Sequence, residues 1–134
     1  MSADDREHLE TGQWGEDVAA RFLKRKGYRI IARRLRIGQR DEIDLVASCG
    51  GTLVFVEIKT RSSEDFGRPA AAVDRQKRHV LSRAAVRYLR ELRNPRVCFR
   101  FDVVEVVGQL GDGDPVLRHI ENAFSLDRVY MPPA

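Results

Sequence analysis

The chain has 134 residues, enough for one domain around one principal core and too few for a separate regulatory module. Its apolar residues are dispersed through mixed segments instead of gathered into a run of about 20, which excludes a transmembrane helix. The charged opening MSADDREHLETG lacks the apolar stretch of a signal peptide, so a cytoplasmic location and no membrane partner are expected. Net charge is +4, and all but four of the 24 basic residues are Arg. The guanidinium suits bidentate phosphate contacts, although genome composition produces the same bias, so the charge admits a nucleic-acid partner without requiring one. With only Cys49 and Cys98, the chain is neither a disulfide scaffold nor a thiolate zinc site.

Residues 1–11 read as a frayed leader. From Trp14 to Lys26, Val18, Ala19, Phe22 and Leu23 share one face and Gly27 follows as a C-cap, which predicts a first amphipathic helix. Residues 28–37, YRIIARRLRI, are β-branched and aromatic enough for a strand. After the GQR turn, EIDLVAS (42–48) and TLVFVEIK (52–59) flank Gly50-Gly51, a hairpin signal. Ile43, Leu45 and Ala47 should lie with Val54, Val56 and Ile58 on one face, and Val46 with Leu53 and Phe55 on the other. A hairpin apolar on both faces belongs at the centre of a sheet covered by helices.

The stretch 60–70, TRSSEDFGRPA, reads as a loop. Spacings of three and four among Val73, Val80, Leu81, Ala84, Ala85, Tyr88, Leu89 and Leu92 predict a second helix over 71–93, stopped by Asn94-Pro95. VCFRFDVVEVV (97–107) is another strand. VLRHIENAF near the end fits either a short strand or one helical turn, and 125–134 reads as a tail. The expected domain therefore spans 12–124 with the order α-β-β-β-α-β, an α/β fold with a central mixed sheet flanked by helices.

Register concentrates the chemistry. If the hairpin closes through residues 49–52, Asp44 stands across from Glu57 and Glu42 across from Lys59. Cross-strand neighbours are about 5 Å apart at Cβ, close enough to share one cation. Glu57 and Lys59, two apart, point the same way. Charges on a central sheet are costly unless they are paired or bind an ion. One reading is a solvated ion-pair network of Glu57, Lys59 and Asp44. The other uses Asp44 and Glu57 as hard ligands for Mg²⁺ or Mn²⁺, with the Ile58 carbonyl between them, while Lys59 orients or deprotonates a water.

Asp44 followed by Glu57-Ile58-Lys59 resembles the signature of the PD-(D/E)xK nucleases. GEDVAARFLKRKGY (15–28), EIDLVA (42–47), LVFVEIKTR (53–61), FGRPAAAV (66–73), Lys77, RFDVV (100–104) and ENAF (121–124), taken together, resemble the YraN family, also called UPF0102. That resemblance extends to archaeal Holliday-junction resolvases and implies a restriction-endonuclease-like core and a metal-dependent endonuclease acting on DNA, selective for branched substrates. It also implies that Glu16, in the first helix, completes the metal site directly or through water; a carboxylate in a first turn is equally good helix chemistry. The family usually has Gly where this chain has Asp41, which should point away from Asp44 and alter the turn more than the site. A twofold dimer would suit a substrate with two symmetric strands.

Arg33, Arg34, Arg36 and Arg40 lead into the hairpin, Arg61 and Arg68 edge the following loop, and Arg75, Lys77 and Arg78 open the second helix. Any of them serves a phosphate track or a solvated surface; Arg61 and Lys77 match family positions. Trp14 is a stacking platform or a core anchor, and Phe66 a substrate or subunit contact. Asp102 fits a family position and also an ion pair with Arg100 or Arg96. His8, His79 and His119 lack ligand spacing, and no nucleotide-binding fingerprint occurs. The competing function is a nucleic-acid-binding protein that keeps the nuclease fold with little or no hydrolysis, and RNA is as compatible with the site as DNA.

Overall fold

A computed structural model describes residues 2–62 and 73–130. Arg68 and Phe66 lie outside the described residues. The order is α1 (Ala3–Arg25), β1 (Arg29–Ile37), β2 (Asp41–Cys49), β3 (Thr52–Arg61), α2 (Arg75–Glu91), β4 (Cys98–Val107), β5 (Val116–Phe124) and a short 3₁₀ turn, Arg128–Tyr130. The strands form one sheet in the order β1-β2-β3-β4-β5. Only the β3–β4 pair is parallel. Parallel neighbours need a crossover, and α2 supplies it. Among the described residues no helix is long and apolar enough to cross a membrane.

The helices cover opposite faces of the sheet. Under α1 lie Leu45, Ala47, Val54, Val56, Val104 and Val106 with Val18, Ala19 and Leu23. Under α2 lie Ile43, Val46, Phe55, Phe101 and Val103 with Leu81, Ala84 and Ala85. Trp14 packs partly buried against the first of these cores, as an anchor. Phe55 is the hub of the second, meeting Tyr88, Phe99 and Phe101 with ring centroids 5.7–6.0 Å apart.

The hairpin register is the expected one from Cys49↔Thr52 to Leu45↔Val56. Gly50 and Gly51 both have positive φ, 55° and 84°, the conformation of the tight turn whose twist matches the strands it joins. Beyond Leu45 the assignment of faces changes. Ile43, expected beside Leu45, packs under α2 with Val46. The change coincides with an irregularity opposite it on β1: Arg34 has φ 48°, left-handed, and the β1–β2 ladder pairs Arg33↔Leu45 and Leu35↔Ile43 while skipping Arg34 and Asp44. A left-handed residue reverses the alternation of a strand, at a cost of about 1–2 kcal/mol for a side chain other than Gly.

Three boundaries also differ from the periodicity. Helix α1 begins at Ala3, within the segment expected as a leader, because its residue types sustain a helix up to Gly27. Helix α2 begins at Arg75 behind the N-cap Asp74, whose carboxylate accepts the Lys77 N–H at 2.8 Å; buried Val73 therefore precedes the helix instead of opening it. The ambiguous segment 116–124 is a strand, held by antiparallel pairing with β4.

Asp41, at the start of β2, is 2% exposed and takes both Nε and Nη2 of Arg83 on α2, at 2.8 and 2.7 Å. That pair ties the crossover helix to the strand that carries Asp44. Truncating the aromatic hub, Phe55→Ala, is expected to destabilise the protein by about 3–5 kcal/mol, read as a lower urea midpoint.

Candidate functional site

The strands β2 and β3 part at one end of the sheet, and the candidate residues gather there. The last ladder pair is Leu45↔Val56. One step further, Asp44 Oδ2 accepts the Ile58 N–H at 2.9 Å, so a side chain takes over where the backbone ladder stops. This bond fixes the Asp44 carboxylate beside the Glu57-Ile58 peptide. Burial raises the Asp44 pKa, and the Ile58 N–H and the Lys77 charge partly offset it.

Glu57 is the second carboxylate. Its side chain is 12% exposed, and Lys77 Nζ lies 3.7 Å from Oε1. Burial first and the neighbouring Asp44 second push its pKa up to about 7; Lys77 and Lys59 oppose the shift without cancelling it. Lys59, half-buried, follows two residues along the same strand and adds its charge to this end of the sheet. Two hard carboxylates that repel each other in a shielded place, with the Ile58 carbonyl as the expected further oxygen, are a donor set suited to a divalent cation. Among the described residues no group of three or more His, Cys, Asp or Glu side chains converges to hold a metal ion. Any ion here would therefore rest on two side-chain carboxylates, the carbonyl and water.

Glu16 lies elsewhere in the same neighbourhood. It is buried on α1, and both its oxygens are engaged: Oε1 by Arg33 Nε at 3.2 Å and Oε2 by Arg34 Nε at 2.5 Å. Arg33 also pairs with Asp17 through Nη2. Consecutive residues of a regular strand cannot both reach one carboxylate; the left-handed turn at Arg34 makes it possible. Gly12, Glu16, Arg34, Glu42, Asp44, Ile58 and Thr60 line a 340 Å³ pocket. Gly15 admits α1 to this place, since a Cβ there would lie 2.2 Å from Thr60 Oγ1.

The basic residues divide. Arg40, Arg75 and Arg78 are exposed, Arg40 at the turn before β2 and the others at the start of α2. Lys77 leans toward Glu57. Arg61 Nε lies 3.0 Å from Glu105 Oε2, and Arg118 Nη1 3.1 Å from Oε1 of the same buried acid, so Arg61 has a structural partner. Asp102 is fully buried and takes Arg100, His119 and the Asn122 N–H; these outweigh its burial and hold its pKa below the usual carboxylate range. It is a structural ion pair with Arg100. Sequence reasoning did not find the pairing of Glu16 with Arg33 and Arg34, which depends on a backbone angle, nor the buried Glu105. The latter had a signal: an acid inside the apolar run Val103–Val107 needs a partner.

The fold is thus an α/β domain with a mixed sheet flanked by helices, carrying an Asp, a Glu and a Lys where its two central hairpin strands part. The chain belongs to the uncharacterised protein family UPF0102, whose model matches residues 15–106. It is 44% identical over 124 residues to a UPF0102 protein of Chlorobaculum tepidum, covering 87% of this chain and 95% of that one. To a UPF0102 protein of Symbiobacterium thermophilum it is 49% identical over 114 residues, covering 84% and 94%. Among solved structures, the calcium complex of Pyrococcus furiosus SfsA aligns at 16% identity over 85% of this chain and 63% of that chain, with a TM-score of 0.37, a likeness too slight to carry a conclusion.

The raised Glu57 pKa has a stability consequence with a definite sign. Because the folded value, about 7, lies above the usual 4.5, the stability contributed by Glu57 is whole below pH 4.5 and is lost as pH rises through 7. Glu57→Gln, which cannot ionise, is expected to unfold like wild type at pH 4.5 and to exceed it by roughly 2 kcal/mol at pH 8 without divalent cations, read by chemical denaturation.

Proposed function

We propose that this protein is a divalent-metal-dependent endonuclease that hydrolyses phosphodiester bonds of DNA, with branched DNA as the preferred form. The observation that carries the reading is the pair of shielded, mutually repelling carboxylates, Asp44 and Glu57, beside Lys59. Asp44-(x)₁₂-Glu57-Ile58-Lys59 has the residue types and order of the PD-(D/E)xK signature, and the hydrogen bond from the Ile58 N–H to Asp44 Oδ2 supports reading its two halves as one site.

In this reading Asp44, Glu57 and the Ile58 carbonyl hold Mg²⁺ or Mn²⁺, which when bound polarises the phosphoryl group and lowers the pKa of a water. Asp44 is kept in place by the Ile58 N–H, so its carboxylate needs no reordering to bind. Lys59 positions the attacking water and stabilises charge on the phosphate oxygens. Lys77, the counter-charge of Glu57, would be free to face the phosphate if a divalent ion were held there. Glu16, with both oxygens on guanidiniums, would serve such an ion through water. Arg40, Arg75 and Arg78, with Arg61 at the end of β3 and with Arg68, carry the flanking backbone. Two copies related by a twofold axis would cut two symmetric strands.

One observation favours a second reading, a nucleic-acid-binding protein with little hydrolysis: among the described residues no three metal-ligating side chains converge. The two are separated by incubating labelled single-stranded, duplex, flap and four-way-junction DNA with Mg²⁺ or Mn²⁺. The nuclease cuts at least one substrate, needs the metal, and loses on the order of 100-fold or more in rate in folded Glu57→Ala and Lys59→Ala while still binding. Metal-independent indifference on every DNA, with binding intact, supports the second reading and directs the search to RNA.

A further inference from the structure

We infer that Arg34 is a phosphate-binding residue of this site, and that Glu16 is the positioning residue that aims it. The inference rests on the reading of the protein as one that binds nucleic acid, and it assigns the contact by geometry.

Among the described residues that line the Asp44 pocket, Arg34 is the only one with a positive charge. Its Nε is held by the buried Glu16 carboxylate at 2.5 Å, whereas no partner for its terminal nitrogens is found among the described residues, and its side chain is 49% exposed. A guanidinium fastened by Nε keeps its outer edge, the two Nη groups, directed outward in one plane. That edge matches the two non-bridging oxygens of a phosphodiester and forms two parallel hydrogen bonds with them. Arg33 does not have this freedom, because its Nη2 is taken by Asp17.

The backbone points the same way. A left-handed Arg is unfavourable, and the β1–β2 ladder skips a pair at Arg34 and Asp44. The distortion places two neighbouring guanidiniums on one carboxylate and turns Arg34 into the pocket that holds Asp44. Strained conformations of this kind are retained where a side chain must be aimed. Asp44 and Glu42 on the same wall would repel an approaching phosphate, so a strand entering here needs a cation at the pocket's rim. Glu16, shielded from water, holds the Arg34 guanidinium by Nε in the way a carboxylate orients a metal-ligating His.

The test is binding without cleavage. Fluorescence anisotropy of labelled duplex and four-way-junction DNA is measured in EDTA from 50 to 200 mM salt, for wild type, Arg34→Gln, Arg34→Asn, Arg34→Lys and Glu16→Gln. Arg34→Asn tolerates the left-handed backbone and guards against a folding artefact. Losing one phosphate contact is expected to weaken binding about tenfold and to lower the slope of log affinity against log salt by about one in both neutral variants. Arg34→Lys keeps the slope and loses affinity. Glu16→Gln leaves the Arg34 charge in place, so it lowers affinity with the slope unchanged. If folded Arg34→Gln and Arg34→Asn bind with wild-type affinity and slope, Arg34 is structural and the inference is overturned while nucleic-acid binding stands. If wild type binds neither DNA and likewise no RNA duplex or single strand, the inference falls together with the reading beneath it. Weakened binding in the variants of a protein that never cuts with Mg²⁺ or Mn²⁺ supports Arg34 and removes only the nuclease activity.

Discussion

Asp44 accepts the Ile58 N–H at the point where the β2–β3 ladder ends, and the local architecture depends on this bond. Had the ladder continued, Asp44 and Glu57 would stand as an ordinary cross-strand pair of like charges, which is destabilising in a sheet. With the strands parted, the partly buried Ile58 N–H would instead lack a protein acceptor. The Asp44 carboxylate resolves both problems: it satisfies the donor and is fixed beside a second carboxylate that burial and repulsion bias toward its neutral form. The protein solves a similar problem at the other side of the sheet. Where β4 and β5 slip register next to Phe101, Asp102 takes the Asn122 N–H, but there Arg100 and His119 neutralise it. The same device is quiet when its charge is matched and chemically poised when it is not.

The scaffold around that bond is assembled from separate constraints. The Asp41–Arg83 pair joins β2 to α2, the Phe55 cluster seats α2 on the sheet, and Gly15 lets α1 approach Thr60. Each lies close in sequence to a residue of the candidate site, so packing and site geometry are set by the same short segments. Glu57 follows Phe55 by two residues, and Lys77 leaves the first turn of the helix that Asp74 caps.

Much of this was legible in the sequence. Gly50-Gly51 between two apolar strands predicts the register observed from Cys49↔Thr52 to Leu45↔Val56, and extending it one step makes Asp44 and Glu57 neighbours. What escaped was the behaviour of single backbone angles. Nothing in the residue type of Arg34 signals a left-handed φ, since Gly, Asn or Asp would be the ordinary choice. The partners of Glu16 followed from that angle and were hidden with it, and the change of face at Ile43 falls beside it. The strand β5 was ambiguous for a different reason: at the sheet's edge its residues alternate only weakly between buried and exposed, and its structure comes from pairing with β4.

The place of β1 at the sheet's outer edge carries one more consequence. An edge strand offers unpaired N–H and C=O groups to any other chain, and long flat edges invite sheet extension and aggregation. Here the edge is bent at Arg34, slips register between Ile30 and Ala32, and carries Arg29, Arg33, Arg34 and Arg36. A second copy approaching it strand to strand would meet a kinked backbone and like charge, which disfavours pairing at this edge. The bend that aims a side chain into the pocket therefore also works against growth of the sheet on the side where the pocket opens.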